Sequence, residues 1–315
     1  MDQLTQRAVI GEFYKALAQN TGASWVGQIS NYFNSDQLSE TYAWLGQVPQ
    51  LREWVGGRQA KGLTESKFTI TNKHYESTLD FLVSDLKRDK SGQALVRIQE
   101  QARRANTHWA KLLSTLIIDA PSSVCYDGQF FFDTDHTEGN NTTSQSNDIQ
   151  VDISGLAVAT AGTTTLPAVA EAQGAIAKGI ETLLGFKDNE NEPMNEDASQ
   201  FLVMVPQVLY NAFSQAVYTP VQVAETQTVL ESLKSDYIIR CVANPRLTWT
   251  DSFAIFRTDA TIKSFIRQEE QGVQMKVKGE GSEYEFDNDA HQYGIDAWRN
   301  VGYGYWQNAV YVTMI

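Results

Sequence analysis

Residues 92–118 carry one unbroken amphipathic pattern, and it constrains the fold more than any other stretch. Leu95, Ile98, Ala102, Ala105, Trp109, Leu112 and Leu116 recur at spacings of three and four. That is the period of a helix burying one face. Arg97, Glu100, Arg103, Arg104 and Lys111 occupy other faces, and Asp119-Ala120-Pro121 ends the run. At about 1.5 Å per residue the helix is about 40 Å long. A chain holding such a rod must build its core along it.

The flanks supply what can lie against the rod. Residues 4–19 read as a shorter amphipathic helix with Ile10, Phe13 and Leu17 on one face, stopped near Asn20-Thr21-Gly22. It cannot bury that face alone, so it must dock on its own domain or on a neighbour. Residues 42–65 are aromatic and glycine-rich, without a helical period. Alternation then predicts a β-hairpin: Phe68 and Ile70 on one strand, a turn at Asn72-Lys73-His74, and Tyr75 to Val83 on the other. An isolated hairpin is marginal in water and also needs support.

After a loop-rich stretch from 121 to 165, a second helix is expected from Pro167 to Leu184. Phe201–Val205 reads as a buried strand, and Val208–Val217 as a helix. The last part is β-rich at Tyr237–Val242, Phe253–Phe256, Gln274–Val277 and Asn308–Met314. Helices and strands mix without βαβ repetition, so the class is α+β. No internal repeat is present.

Composition narrows the function classes. The 315 residues include 25 Lys plus Arg against 38 Asp plus Glu, a net charge of −13. Dedicated nucleic-acid binders neutralise phosphates with basic residues, so this balance argues against one. Cys125 and Cys241 form no disulfide framework. With no signal peptide and no run of about 18 apolar residues, a cytoplasmic protein is expected at synthesis.

One cluster could carry chemistry. Asp133, Asp135 and His136 offer two carboxylates and an imidazole within four residues, ligands that hard cations and zinc accept. The bland reading is a polar turn after Phe131 and Phe132, with Asp side chains capping backbone amides. The glycines at 279–281 and 302–304 match no phosphate-binding loop. Cys125 lacks an evident base and reads as a packing residue. Glu280, Glu283, Glu285, Asp287 and Asp289 read as a solvated face or an intersubunit salt-bridge partner. No metal, cofactor or catalytic residue is expected.

Two blocks resemble a known family. They are Tyr42-Ala43-Trp44-Leu45-Gly46-Gln47-Val48-Pro49 with Leu51-Arg52-Glu53-Trp54-Val55-Gly56, and Cys125-Tyr126-Asp127-Gly128-Gln129-Phe130-Phe131-Phe132-Asp133-Thr134-Asp135-His136. Together with Asn72-Lys73 they resemble the major head subunits of Mu-like phages. The resemblance implies the Hong Kong 97-like phage major capsid fold. It would divide the chain into an N-terminal arm (1–45), an extended β-hairpin loop (46–84), and a peripheral domain with its spine helix (85–160). An axial domain (161–245) and C-terminal strands returning to the peripheral domain (246–315) would follow.

The resemblance also implies that the first helix and the hairpin lie on neighbouring subunits, with assembly contacts through Trp44, Arg52, Trp54, Arg58, Lys61 and Lys73. The implied partners are copies of the chain as pentamers and hexamers, scaffold, protease and portal proteins, and packaged double-stranded DNA held non-specifically. The implied location is the virion, after the host cytoplasm. Lysine crosslinking is not expected. An encapsulin-like nanocompartment shell remains an alternative of similar fold. A metal-dependent enzyme using Asp133, Asp135 and His136, and a trimeric adhesin-like phage protein, are the alternatives from other classes.

Overall fold

A computed structural model describes residues 6–20, 22–42, 68–88, 92–138, 141–154, 161–218 and 229–315. The chain opens with helix α1 (Gln6–Gln19), a single turn α2 (Val26–Ile29) and strands β1 (Ser30–Asn34) and β2 (Ser39–Tyr42). Strands β3 (Phe68–Thr71) and β4 (Lys73–Leu82) lead through α3 (Val83–Arg88) to the long helix α4 (Gln93–Asp119). Short strands β5 (His136–Glu138), β6 (Asn141–Gln145) and β7 (Asp148–Val151) precede α5 (Val169–Leu184). Then come β8 (Gln200–Val205), α6 (Tyr210–Tyr218), α7 (Val229–Asp236), β9 (Ile238–Ala243) and β10 (Ser252–Arg257). Two long strands, β11 (Phe265–Lys278) and β12 (Ala290–Tyr303), flank the short helix α8 (Glu283–Asn288), and β13 (Ala309–Met314) ends the fold.

Two sheets organise these elements. One has the order β7-β13-β10-β8-β9, the other β1-β11-β12-β4. In the first, every residue of β10 is buried, as expected of a strand covered on both faces. Helix α5 packs closely there: a Cβ on Gly179 would stand 2.6 Å from Ile255 Cδ1. In the second sheet, the last ten residues of β11 alternate between half-buried and exposed.

The long helix touches both regions, and this changes its expected stripe. Ile98, Ala102 and Ala105 are buried as predicted, packed with Val9, Phe13, Phe81 and Tyr293. Further along, Ala110, Leu113 and Ile117 enter the larger core, while Trp109, Leu112 and Leu116 are only half-buried. A strict 3.5-residue repeat drifts by about 20° per heptad on a straight helix. The second core takes the face to which the helix has turned.

One expectation is corrected. Strands 68–70 and 75–83 do not form a hairpin with each other. β3 pairs antiparallel with β2, and β4 pairs antiparallel with β12. Asn72 is the transfer point rather than a turn tip. Its N–H donates to Leu38 O at 2.7 Å, its amide donates to Gln37 O at 2.9 Å, and its Oδ1 accepts from Gln268 Nε2 at 2.9 Å. An Asn that looks like a turn former is here a fully bonded buried knot.

Of the two dockings open to it, α1 takes one on α4 of its own chain. Asn106 Nδ2 donates to Leu17 O at 2.8 Å and Gln99 Nε2 to Glu12 Oε1 at 2.8 Å. Among the C-terminal strands, β10 and β13 join β8 in the five-stranded sheet, while β11 and β12 belong to the four-stranded one.

Candidate assembly surfaces

The loop implied by the sequence has a firmly built base. Ser39–Tyr42 and Phe68–Thr71 pair in register, with Tyr42 opposite Phe68. Tyr42 is buried, and its hydroxyl donates to Gln268 Oε1 at 2.8 Å. Burial, with the Glu40 carboxylate nearby, pushes its pKa up to about 12. Gly302 on β12 lets β3 approach: a Cβ there would lie 2.4 Å from Ile70 Cδ1 and 2.8 Å from Phe68 Cε1. Of the predicted assembly residues, Trp44, Arg52, Trp54, Arg58 and Lys61 lie outside the described residues. Lys73 is exposed at the start of β4, opposite Arg299.

Beside this base, charged and aromatic side chains tie the first strand to the long helix. The Arg267 guanidinium lies 5.4 Å from the Tyr32 ring and 5.6 Å from Trp109, and Arg299 lies 4.9 Å from Trp109. Tyr32 donates to the Glu269 carboxylate. Burial first, and then that bond, push its pKa up to about 12. Arg299 donates to Ala105 O at 3.2 Å. These contacts join β1, β11, β12 and α4 through cation–π and charged hydrogen bonds.

The Asp133, Asp135, His136 set does not converge. Asp135 is exposed and shares a hydrogen bond with Asp133, which first, with slight burial, raises its pKa. Asp133 receives the N–H groups of Phe130 at 3.1 Å and Thr134 at 2.7 Å, the capping role of the bland reading. His136 turns inward and is fully buried, its ring stacked 4.0 Å from Trp306.

The actual partner of His136 is Asp127, nine residues upstream, and sequence reasoning missed it. Nδ1 lies 2.6 Å from Asp127 Oδ2, and Nε2 lies 3.2 Å from Asn147 Oδ1. The Asn147 amide is oriented by its own donation to Phe131 O at 2.8 Å and by accepting Asp133 N–H at 2.9 Å. Both imidazole nitrogens therefore lie within hydrogen-bond distance of side-chain oxygens. Burial alone would raise the Asp127 pKa; the bonds from His136, Cys125 and the Gln129 amide outweigh it and bring it below the ordinary value.

Cys125 Sγ donates to Asp127 Oδ1 at 2.9 Å, so it is more than a packing residue. The ligand atoms of Cys125, Asp127 and His136 lie within 4.8 Å of one another. Metal bonds of about 2.0–2.3 Å in tetrahedral array would hold such atoms about 3.3–3.7 Å apart. The two contacts to Asp127 are hydrogen-bond distances instead. The cluster ties Cys125 and Asp127 to His136 beneath the Trp306 ring.

Sequence reasoning also missed β12, with Arg299, and helix α8. For α8 a signal existed: Ser282 with Glu285 three residues on is a capping pattern, and Ser282 Oγ accepts the Glu285 N–H at 3.2 Å.

Comparison with known proteins gives this architecture its family. The family model described as "Mu-like prophage major head subunit gpT" matches residues 3–158 and 184–314. The chain is 35% identical over 114 residues to the Mu-like prophage FluMu major head subunit of Haemophilus influenzae, covering 36% of this chain and 37% of that protein. It is 36% identical over 113 residues to the major capsid protein of Escherichia phage Mu, again 36% of this chain and 37% of the relative. These two alignments thus span little more than a third of the relatives' length. Among solved structures, the procapsid of bacteriophage JBD30 superposes with a TM-score of 0.57 at 23% identity, over 99% of this chain and 76% of that one. Sequence family and α+β capsid fold agree, and the chain belongs to the Mu-like prophage major head subunit family.

Proposed function

We propose that this chain is the major capsid subunit of a tailed phage or prophage, and that it works by assembling with copies of itself into the icosahedral shell around the genome. The observation that carries the reading is the family match over residues 3–158 and 184–314. The loop base supports it mechanically. Ser39–Tyr42 and Phe68–Thr71 are held together by strand pairing, with Tyr42 buried and bonded to Gln268, a fixed base from which an extended loop would reach a neighbour.

In this reading the arm, loop, peripheral and axial divisions act as separate contact units. β4 is built into the four-stranded sheet, which supports assigning the reaching part of the loop to the residues between Tyr42 and Phe68. Heterologous contacts of this kind close into rings, and many modest repeated interfaces stabilise the whole. Pentamers and hexamers, scaffold and protease, and a portal would be the protein partners. DNA would meet the inner face non-specifically, since the chain's net charge of −13 gives little general attraction for phosphate. The chain would act by assembly and not by catalysis, in the host cytoplasm first and then in the virion. No helix among the described residues is long and apolar enough to cross a membrane.

Negative-stain electron microscopy with size-exclusion light scattering tests the reading. Closed shells, tubes, pentamers or hexamers are expected. A monomer under all conditions, including with the neighbouring gene products, would overturn it.

A further inference from the structure

The end of the four-stranded sheet carries a knob and, beside it, a cleft. The knob is α8, in the connection between β11 and β12. Phe286 on it is 91% exposed, the most exposed large apolar side chain among the described residues. Glu280, Glu283, Asp287 and Asp289 around it are also exposed. Glu285 faces inward to His291 at 3.0 Å and Gly281 N–H at 2.6 Å. Lys278 lies over the Tyr284 ring at 5.8 Å, on the root of the knob. An exposed aromatic ring flanked by carboxylates offers an apolar anchor with a charged rim.

The cleft lies between α3 and the first turns of α4. Its volume is about 290 Å³, and Phe81, Leu86, Ala94, Arg88, Arg97, Gln93 and Asp85 line it. Phe81 and Ala94 are buried, Leu86 is half-buried, and both arginines are exposed. A cavity of about 150 Å³ lined by apolar groups already accepts a benzene ring. Arginines at the rim can lie over an aromatic ring and receive carboxylates. Asp85 is the one carboxylate among the described lining residues. Knob and cleft sit side by side: Val83 N–H donates to Asp289 O at 2.9 Å, and Leu82 pairs with Ala290. Phe286 nonetheless stays outside the cleft of its own chain.

We propose that Phe286 of one copy of this chain inserts into the Phe81–Leu86–Ala94 cleft of a second copy, with Glu283 and Asp287 against Arg88 and Arg97. The proposal rests on the self-assembly reading above. Shape and charge argue for a second copy: the ring fits the floor, and the carboxylates match the rim. Knob and cleft are two different patches, so each copy can both give and receive the contact.

The test uses the full chain with whatever gene products support shell formation, scored by sedimentation and negative stain. Phe286→Ser is expected to cut shell yield at least about tenfold with an unchanged melting curve, because the side chain is exposed. Arg88→Glu with Arg97→Glu, and separately Glu283→Lys with Asp287→Lys, are expected to do the same. Combining the four changes should restore yield to within about threefold of wild type. Normal yield from Phe286→Ser overturns the proposal and leaves the self-assembly reading standing. So does a combined variant no better than its halves, or normal shells that only fail to hold another virion protein. A wild-type chain that never assembles overturns both.

Discussion

The two sheets of this subunit are built to different rules. In the five-stranded sheet, β10 is buried at all six positions and β8 at five of six, and α5 and α6 pack on it. In the four-stranded sheet, β11 runs out into alternating exposure and ends beside the exposed knob. The first sheet spends its side chains on its own core. In the second, the outer part of β11 and most of β4 leave alternate or successive side chains exposed, while β12 between them is buried or half-buried throughout. A protein that must both fold alone and bind copies of itself needs both kinds of surface.

Substitutions can break this contrast. Phe256→Ala in β10 removes a fully buried ring and is expected to cost ~3–5 kcal/mol in urea unfolding. Val277→Ala near the end of β11 is expected to cost ~1 kcal/mol or less, since it is only half-buried. Equal losses would erase the distinction. His136→Phe keeps the stack on Trp306 but leaves Asp127 buried without its partner, a loss of ~3 kcal/mol in the same experiment.

On the four-stranded side the effects are smaller. Trp109→Ala is expected to cost ~1–2 kcal/mol, not the full value of a core Trp, because the indole is half-buried between Arg267 and Arg299. Tyr42→Phe removes one buried hydrogen bond, ~1 kcal/mol at neutral pH. Its pH signature is sharper. The Tyr42 pKa is raised to about 12 in the folded chain, against about 10 unfolded. Its contribution is therefore complete below pH 10 and lost as pH rises toward 12. Over that window wild type should lose more stability than Tyr42→Phe; equal losses would remove Tyr42 as the cause. Least of all, Glu100→Ala should leave the thermal melt unchanged. The Arg103 and Arg104 bonds hold the Glu100 pKa down at about 2, yet the whole group is at the surface.

How much of this was legible depended on how local the cause was. The helices at 6–19, 93–119 and 169–184 and the buried strand at 200–205 are written in periodicity that needs no partner. The second half of the α4 stripe was not readable, because which face is buried there is decided by the other core. The pairing of β3 and β4 was misread because Asn72 favours turns locally, while its bonds to Leu38, Gln37 and Gln268 are made across the fold. β12 was hidden because buried Asp296 and Arg299 and two glycines interrupt its alternation. Asp127 and His136 are separated by a turn through Gly128, and nothing in either residue announces the other.

Helix α4 places Ile98, Ala102 and Ala105 in one core and Leu113 and Ile117 in the other. A rod shared in this way cannot fray at one end without exposing apolar side chains that the other end helps to hold. The two cores should therefore melt as one cooperative transition, with the calorimetric and van't Hoff enthalpies in agreement. In a shell the same rod would act as a lever: a force applied at the knob end of one subunit reaches the five-stranded sheet through backbone, not through a flexible joint.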